Sequence, residues 1–190
     1  MRCHSCSRLS LSLICSECRQ LYLQPKLNIR KLKSGLEVIS FYSYQDIEPF
    51  LLTKHHPYGW FIYRILAKET FKHLSKIDSE VFVIPVDDYL RSGYSHTAIL
   101  AKELESYGFS PLYNSLHAKN RISYSGKSLS FRKSNPRDFE YRGSEGIDAI
   151  LVDDIITTGT TILEAHSTLL KHEVNLLYAF VLADVDRNLS

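Results

Sequence analysis

A chain of 190 residues with 44% hydrophobic and 23% charged side chains is long enough to bury a core and has ordinary globular composition, which excludes the disordered and fibrous classes. Its formal net charge of +2 conceals an uneven distribution, with residues 1–35 and 112–146 basic and the remainder acidic, a pattern that suits an anionic partner on one face. No apolar run approaches the ~20 residues needed to cross a bilayer, and the apolar stretch 9–14 is too short for a signal sequence, so a cytoplasmic location is expected.

All four cysteines fall at the start of the chain, as Cys3-x-x-Cys6 and Cys15-x-x-Cys18. Each pair can place two thiolates on one side of a tight turn, and two such turns close a tetrahedron around a structural Zn²⁺. Paired disulfides or redox-active motifs are the competing readings, but neither suits a short tail without a βαβ context. A segment this small cannot fold on hydrophobic burial alone, so the metal would supply its folding free energy. His4 lies within the first turn and is read as a bystander, because four thiolates already complete the site.

The expected organisation is a zinc finger over residues 1–22, a basic and weakly patterned linker over 23–35, and one domain over 36–190. Within the domain, residues 36–43 read as a strand, rich in branched and aromatic residues. Residues 46–76 read as helical, interrupted near Pro57-Tyr58-Gly59, with the apolar pairs Phe61/Ile62 and Ile65/Leu66 facing a sheet. The continuous apolar run 81–86 marks a strand buried on both faces. A loop follows to residue 94. Ser95 then caps a helix over 96–107, and Gly108 stands where a C-terminal glycine belongs. Residues 111–146 are long, polar and irregular, the profile of a functional loop. A strand over 147–152, a helix over 161–172 and a strand over 174–183 complete an α/β alternation, which predicts a mostly parallel sheet flanked by helices.

The most informative stretch is Ala149-Ile-Leu-Val-Asp-Asp-Ile-Ile-Thr-Thr-Gly-Thr-Thr161. An apolar strand delivers Asp153 and Asp154 to its carboxyl end, where α/β sheets bind ligands. Thr157, Thr158, Thr160 and Thr161 offer hydroxyls, and Gly159 admits a close backbone approach. With the positive end of the following helix, this turn is a phosphate cradle. Two carboxylates would repel a bare phosphate, but they suit the vicinal hydroxyls of a sugar that carries one. A polar turn leading into an ordinary helix cap is the plainer alternative, although the full constellation is uncommon.

This run resembles the signature of the type I phosphoribosyltransferases at every position. The resemblance implies their mostly parallel sheet flanked by helices, with Asp153 and Asp154 on the ribose hydroxyls and residues 157–161 on the 5-phosphate of 5-phosphoribosyl-1-pyrophosphate. It also implies Mg²⁺ accompanying the pyrophosphate. A four-cysteine finger joined to such a body resembles the ComF family, which is associated with DNA uptake in natural transformation. The segment Ile84-Pro-Val-Asp-Asp-Tyr-Leu-Arg-Ser-Gly-Tyr-Ser-His96 is similar to that family's second motif. Two departures stand out: Ser92 occupies a position that is normally arginine, and Ser95-His96 replace Asn-Gln. By position, residues 87–94 would be the pyrophosphate loop, with Asp87, Asp88 and Arg91 as its candidates; a simple surface loop is the plain reading.

Residues 112–146 interleave Lys119, Arg121, Lys127, Arg132 and Lys133 with Tyr113, Tyr124, Phe131, Phe139 and Tyr141. Cations that track phosphates and rings that stack on bases would suit single-stranded DNA. Closure over a pyrophosphate, or rings tucked onto the body, remain open as alternatives. Gly126-Lys127-Ser128 does not make a P-loop, since Arg121 holds the required first glycine position. Two functions follow. One is a DNA-uptake factor that binds 5-phosphoribosyl-1-pyrophosphate and single strands, with other uptake machinery at the inner membrane as partners. The other is an active transferase joining ribose 5-phosphate to an unidentified acceptor with loss of pyrophosphate.

Overall fold

A computed structural model describes residues 1–86, 93–120 and 135–185. The described strands are β1 (Asn28–Lys31), β2 (Glu37–Ser43), β3 (Val81–Pro85), β4 (Phe109–Pro111), β5 (Leu116–Ala118), β6 (Phe139–Tyr141), β7 (Asp148–Ile156) and β8 (Asn175–Asp184). The helices are α1 (Ser16–Tyr22), α2 (Tyr44–Leu51), α3 (Gly59–Phe71), α4 (His96–Leu104) and, by our numbering, α5 (Thr160–Leu170). Six strands form one sheet in the order β1-β2-β8-β7-β3-β4, in which every neighbouring pair is parallel except the β1–β2 hairpin. The expected α/β class, a mostly parallel sheet flanked by helices with a four-cysteine cluster at its N-terminal end, is the architecture observed.

Strand β7 sits between β8 and β3, and residues Ala149 to Val152 are fully buried. Such a strand needs apolar side chains on both faces, because helices or loops cover both. Alternation divides them. Ile150 and Val152 join a core with Phe50 of α2, Ile62 and Leu66 of α3 and Leu100 of α4, whereas Ala149 and Leu151 join a second core with Ile162, Ala165 and Leu169 of α5.

The helical reading of residues 46–76 resolves into α2, a 3-10 turn over Leu52–His55 and α3. Gly59 begins α3 so close to that turn that a Cβ there would lie 2.0 Å from the Thr53 carbonyl oxygen. Ser95 caps α4 as expected, its hydroxyl accepting from the Ala98 N–H at 3.1 Å, and Gly108 closes the following 3-10 turn with a left-handed φ of 94°.

Two sequence readings need correction. The stretch 111–146, read as irregular, contributes the antiparallel pair β5–β6, and Phe139 and Tyr141 are buried against α5's core rather than presented for stacking. In addition, Asn28–Lys31, within the segment expected to be a plain connector, is an edge strand of the main sheet.

Candidate functional site

Strand β7 runs four residues beyond the apolar segment that announced it, so Asp153 and Asp154 lie within the strand rather than after it. Asp154 is 4% exposed. An ionised carboxylate there must find compensating partners. Three elements supply them. Lys54, from the 3-10 turn, places Nζ 2.8 Å from Oδ2. The Tyr63 hydroxyl of α3 approaches the same oxygen at 3.1 Å, and His96 Nε2, at the start of α4, lies 3.4 Å away.

Burial alone would raise the Asp154 carboxyl. The Lys54 ammonium and His96 outweigh it and hold the group well below the ordinary carboxylate range. Asp153 behaves oppositely: burial and the neighbouring Asp154 charge push its carboxyl well up, against a hydrogen bond from the Asp154 N–H at 2.8 Å. Tyr63 is fully buried, and burial together with Asp154's charge raises its hydroxyl well above the usual range, so it stays a proton donor. One ligand atom each from His96, Asp153 and Asp154 lie within 4.8 Å of one another.

The turn that follows is built as its composition suggests. Gly159 takes a left-handed φ of 76°, the Thr158 and Thr160 hydroxyls lie 2.9 Å apart, and α5 begins at Thr160. The first N–H groups of a helix have no intrahelical acceptor, so this end offers donors and positive potential to an anion. Thr157 and Thr161 flank the turn, half-buried. Acids, hydroxyls and amides thus share one end of the sheet, which suits a sugar phosphate.

Beneath this turn, Arg30 of β1 donates to the Thr157 carbonyl and to the Asp184 carboxylate, the latter at 2.9 Å. Sequence reasoning missed Arg30, Lys54, Tyr63 and Asp184 because each lies far along the chain from the turn. His96 had a signal, since it replaces a residue of the expected motif.

The four cysteines come together at the N-terminal end, their sulfurs within 4.8 Å of one another. Cys6 Sγ and Cys15 Sγ are 3.7 Å apart. Tetrahedral bonds of about 2.3 Å to one ion require sulfurs about 3.8 Å apart, so the donor set fits a metal. Burial pushes thiols up. At Cys3 that is outweighed by backbone hydrogen bonds from Cys6 and Cys15, which bring it down to about 6, whereas Cys18 is pushed up to about 12. Cys3, Ile14, Cys18 and Leu23 share the core that contains Phe50 and Ile62, so the cluster is packed onto α2 and α3.

Asp87, Asp88 and Arg91, the expected pyrophosphate loop, lie outside the described residues, as do Arg121, Lys127, Arg132 and Lys133. Lys119 is exposed beyond β5, its backbone N–H bonded to the Asp138 carbonyl at 3.1 Å. No described helix is long and apolar enough to cross a membrane.

No family model and no curated protein matches the chain. Among solved structures it is similar to adenine phosphoribosyltransferase from Saccharomyces cerevisiae, at 17% identity over 90% of this chain and 89% of that one, with a TM-score of 0.41. It is also similar to adenine phosphoribosyltransferase from Thermoanaerobacter pseudethanolicus, at 16% identity over 88% and 87% of the two chains and a TM-score of 0.43. Orotate phosphoribosyltransferase from Aeropyrum pernix matches at 15% identity over 90% and 82%, with a TM-score of 0.39.

Proposed function

We propose that this protein binds 5-phosphoribosyl-1-pyrophosphate at the β7–α5 turn and serves DNA uptake as a member of the ComF family. The observation that carries the ligand reading is the juxtaposition of two acids at the end of β7 with a threonine-rich, left-handed turn opening α5. In this reading Asp153 and Asp154 face the ribose hydroxyls, Thr157, Thr158, Gly159, Thr160 and Thr161 enclose the 5-phosphate, and Asp87, Asp88 and Arg91 attend the pyrophosphate. Mg²⁺ would accompany the ligand and screen the charge between pyrophosphate and the acids.

Zn²⁺ is the ion proposed for the four-cysteine cluster, on the strength of an all-thiolate donor set. Single-stranded DNA is the proposed macromolecular partner, through Lys119, Arg121, Lys127, Arg132 and Lys133, with cytoplasmic action alongside uptake machinery at the inner membrane. Phe139 and Tyr141 are buried and so take no part in stacking in this reading, whereas Tyr113 is 41% exposed.

Calorimetric titration of the zinc-loaded protein with 5-phosphoribosyl-1-pyrophosphate and Mg²⁺, beside an Asp153→Ala/Asp154→Ala variant, tests the pocket. Saturable heat from the parent alone supports it, and silence from folded parent protein sinks it. Fluorescence anisotropy with a labelled single strand tests the DNA reading, which requires affinity that falls steeply with salt. Pyrophosphate release in the presence of an acceptor would establish the transferase reading instead.

A further inference from the structure

We infer that the β1–β2 hairpin is the floor of the 157–161 turn and that Arg30 is the residue that positions this turn for a sugar 5-phosphate. The inference rests on the reading of that turn as the phosphate site. A segment of small residues hinged on a glycine has many accessible conformations, so a cradle of amides needs something to hold it in one.

The hairpin supplies three contacts, from residues 30, 32 and 34. Arg30 lies on the half-buried face of β1, whereas Leu32 and Ser34 belong to the turn that joins β1 to β2. The Arg30 guanidinium donates at once to the Thr157 carbonyl and to Asp184 Oδ1 at 2.9 Å. Asp184 is 2% exposed, ends β8 and pairs in register with Ile156 of β7. Leu32 lies directly beneath Gly159, where an added Cβ would come within 2.8 Å of its Cδ2. Ser34 Oγ lies 3.2 Å from His166 Nδ1 in α5. The entry to the turn, its glycine and the helix beyond it are thus each touched by one residue of the hairpin.

Chemistry explains why arginine stands at position 30. Its planar fork can serve a carbonyl and a carboxylate simultaneously, which a lysine ammonium does less well. In a trans peptide the C=O of one residue and the N–H of the next point in opposite directions. Drawing the Thr157 carbonyl down onto Arg30 therefore turns the Thr158 N–H away from the hairpin, towards the side where a phosphate would sit. Asp184 partners the guanidinium, so Arg30 acts through the backbone rather than as an anion ligand.

The experiment compares parent protein, Arg30→Lys and Arg30→Met, each titrated with 5-phosphoribosyl-1-pyrophosphate, ribose 5-phosphate and inorganic pyrophosphate in Mg²⁺. Amide NMR signals of Thr158, Gly159 and Thr160 are followed in the unliganded proteins. Arg30→Met is expected to weaken both 5-phosphate ligands about tenfold, the size of one charge-assisted hydrogen bond. Pyrophosphate affinity should be unchanged, the Thr158 amide signal should move, and Arg30→Lys should fall between. Equal losses for all three ligands, or no loss with unmoved amides, would overturn the inference while leaving the phosphate site standing. A parent that binds neither 5-phosphate ligand would overturn the site reading and this inference with it. Should Arg30→Met fail to fold, the isosteric Asp184→Asn releases the guanidinium from its anchor and must give the same selective loss, or the inference fails.

Discussion

The ammonium of Lys54 lies 2.8 Å from Oδ2 of Asp154, joining two residues a hundred positions apart in the chain. Asp154 is therefore the hub where the 3-10 turn, α3 and α4 meet the end of β7, as well as half of an acidic pair. At its neighbour Asp153, burial and the Asp154 charge outweigh Arg137 and Lys54, and the two carboxyls are driven in opposite directions.

Replacing Lys54 with Met removes the cation from a carboxylate whose side chain is only 6% exposed. Breaking a buried pair from one side leaves an uncompensated charge, so Lys54→Met is expected to lose about 3 kcal/mol in urea denaturation. Adding Asp154→Asn should restore part of that loss. A single variant as stable as the parent would show that water solvates Asp154 adequately.

The opposite shifts at the acidic pair predict opposite pH responses. Asp154, with its folded-state carboxyl depressed, contributes stability above its unfolded value of about 3.9, and this is lost as pH falls towards the folded value. Asp153, with its carboxyl raised, costs stability at neutral pH, and that cost fades as pH falls to about 4. Asp154→Asn should therefore be less stable than the parent at pH 7 and still so at pH 4, its deficit shrinking only below that, whereas Asp153→Asn should be more stable at pH 7 by a margin that shrinks at pH 4. Urea midpoints at the two pH values check this; variants moving in the same direction at pH 7 would contradict it. A stabilised Asp153→Asn that loses ligand binding would mark Asp153 as a residue kept for function at the expense of stability.

Metal removal should be felt beyond the cysteine cluster. Because Cys3 and Cys18 share a core with Phe50 and Ile62, stripping the proposed Zn²⁺ with a strong chelator is expected to lower the thermal midpoint of the whole chain. Cys18→Ser should reproduce the loss. Near-ultraviolet circular dichroism during chelation distinguishes this from an independent finger, whose release would leave the body's signal and midpoint intact.

Gly159→Ala places a Cβ at a left-handed φ of 76° and within 2.8 Å of Leu32 Cδ2. The backbone strain alone is about 1–2 kcal/mol, and Leu32 must also shift. Lower stability together with weaker ribose 5-phosphate binding is expected, read by thermal melts and titration. Adding Leu32→Ala should relieve the steric part and leave the backbone part.

Much of the framework was legible because it is written in local patterns. The apolar runs at 81–86 and 147–152 announced buried parallel strands, Ser95 and Gly108 announced the ends of a helical segment, and Gly159 announced a tight turn; each follows from side-chain periodicity or backbone freedom over a few residues. The paired CxxC spacing likewise announced that the four thiols could converge. Illegible were contacts whose partners are distant in sequence. Phe139 and Tyr141 looked like stacking rings in a basic loop, because composition cannot tell an exposed ring from one covered by a helix some twenty residues later. Residues 28–31 looked like connector, because a four-residue edge strand whose half-buried positions are the polar Asn28 and Arg30 carries little hydrophobic signal.

The same division holds at the site. The sequence by itself determined the chemistry of the turn: two acids after an apolar run, then hydroxyls and a glycine leading into a helix. Only the tertiary structure decided the state of those groups, since electrostatic compensation depends on distance in space. Lys54, Tyr63 and His96 converge on Asp154 rather than Asp153, and Arg30 reaches Thr157 from the sheet's edge. Packing brings them there, and no short window of residues contains both partners.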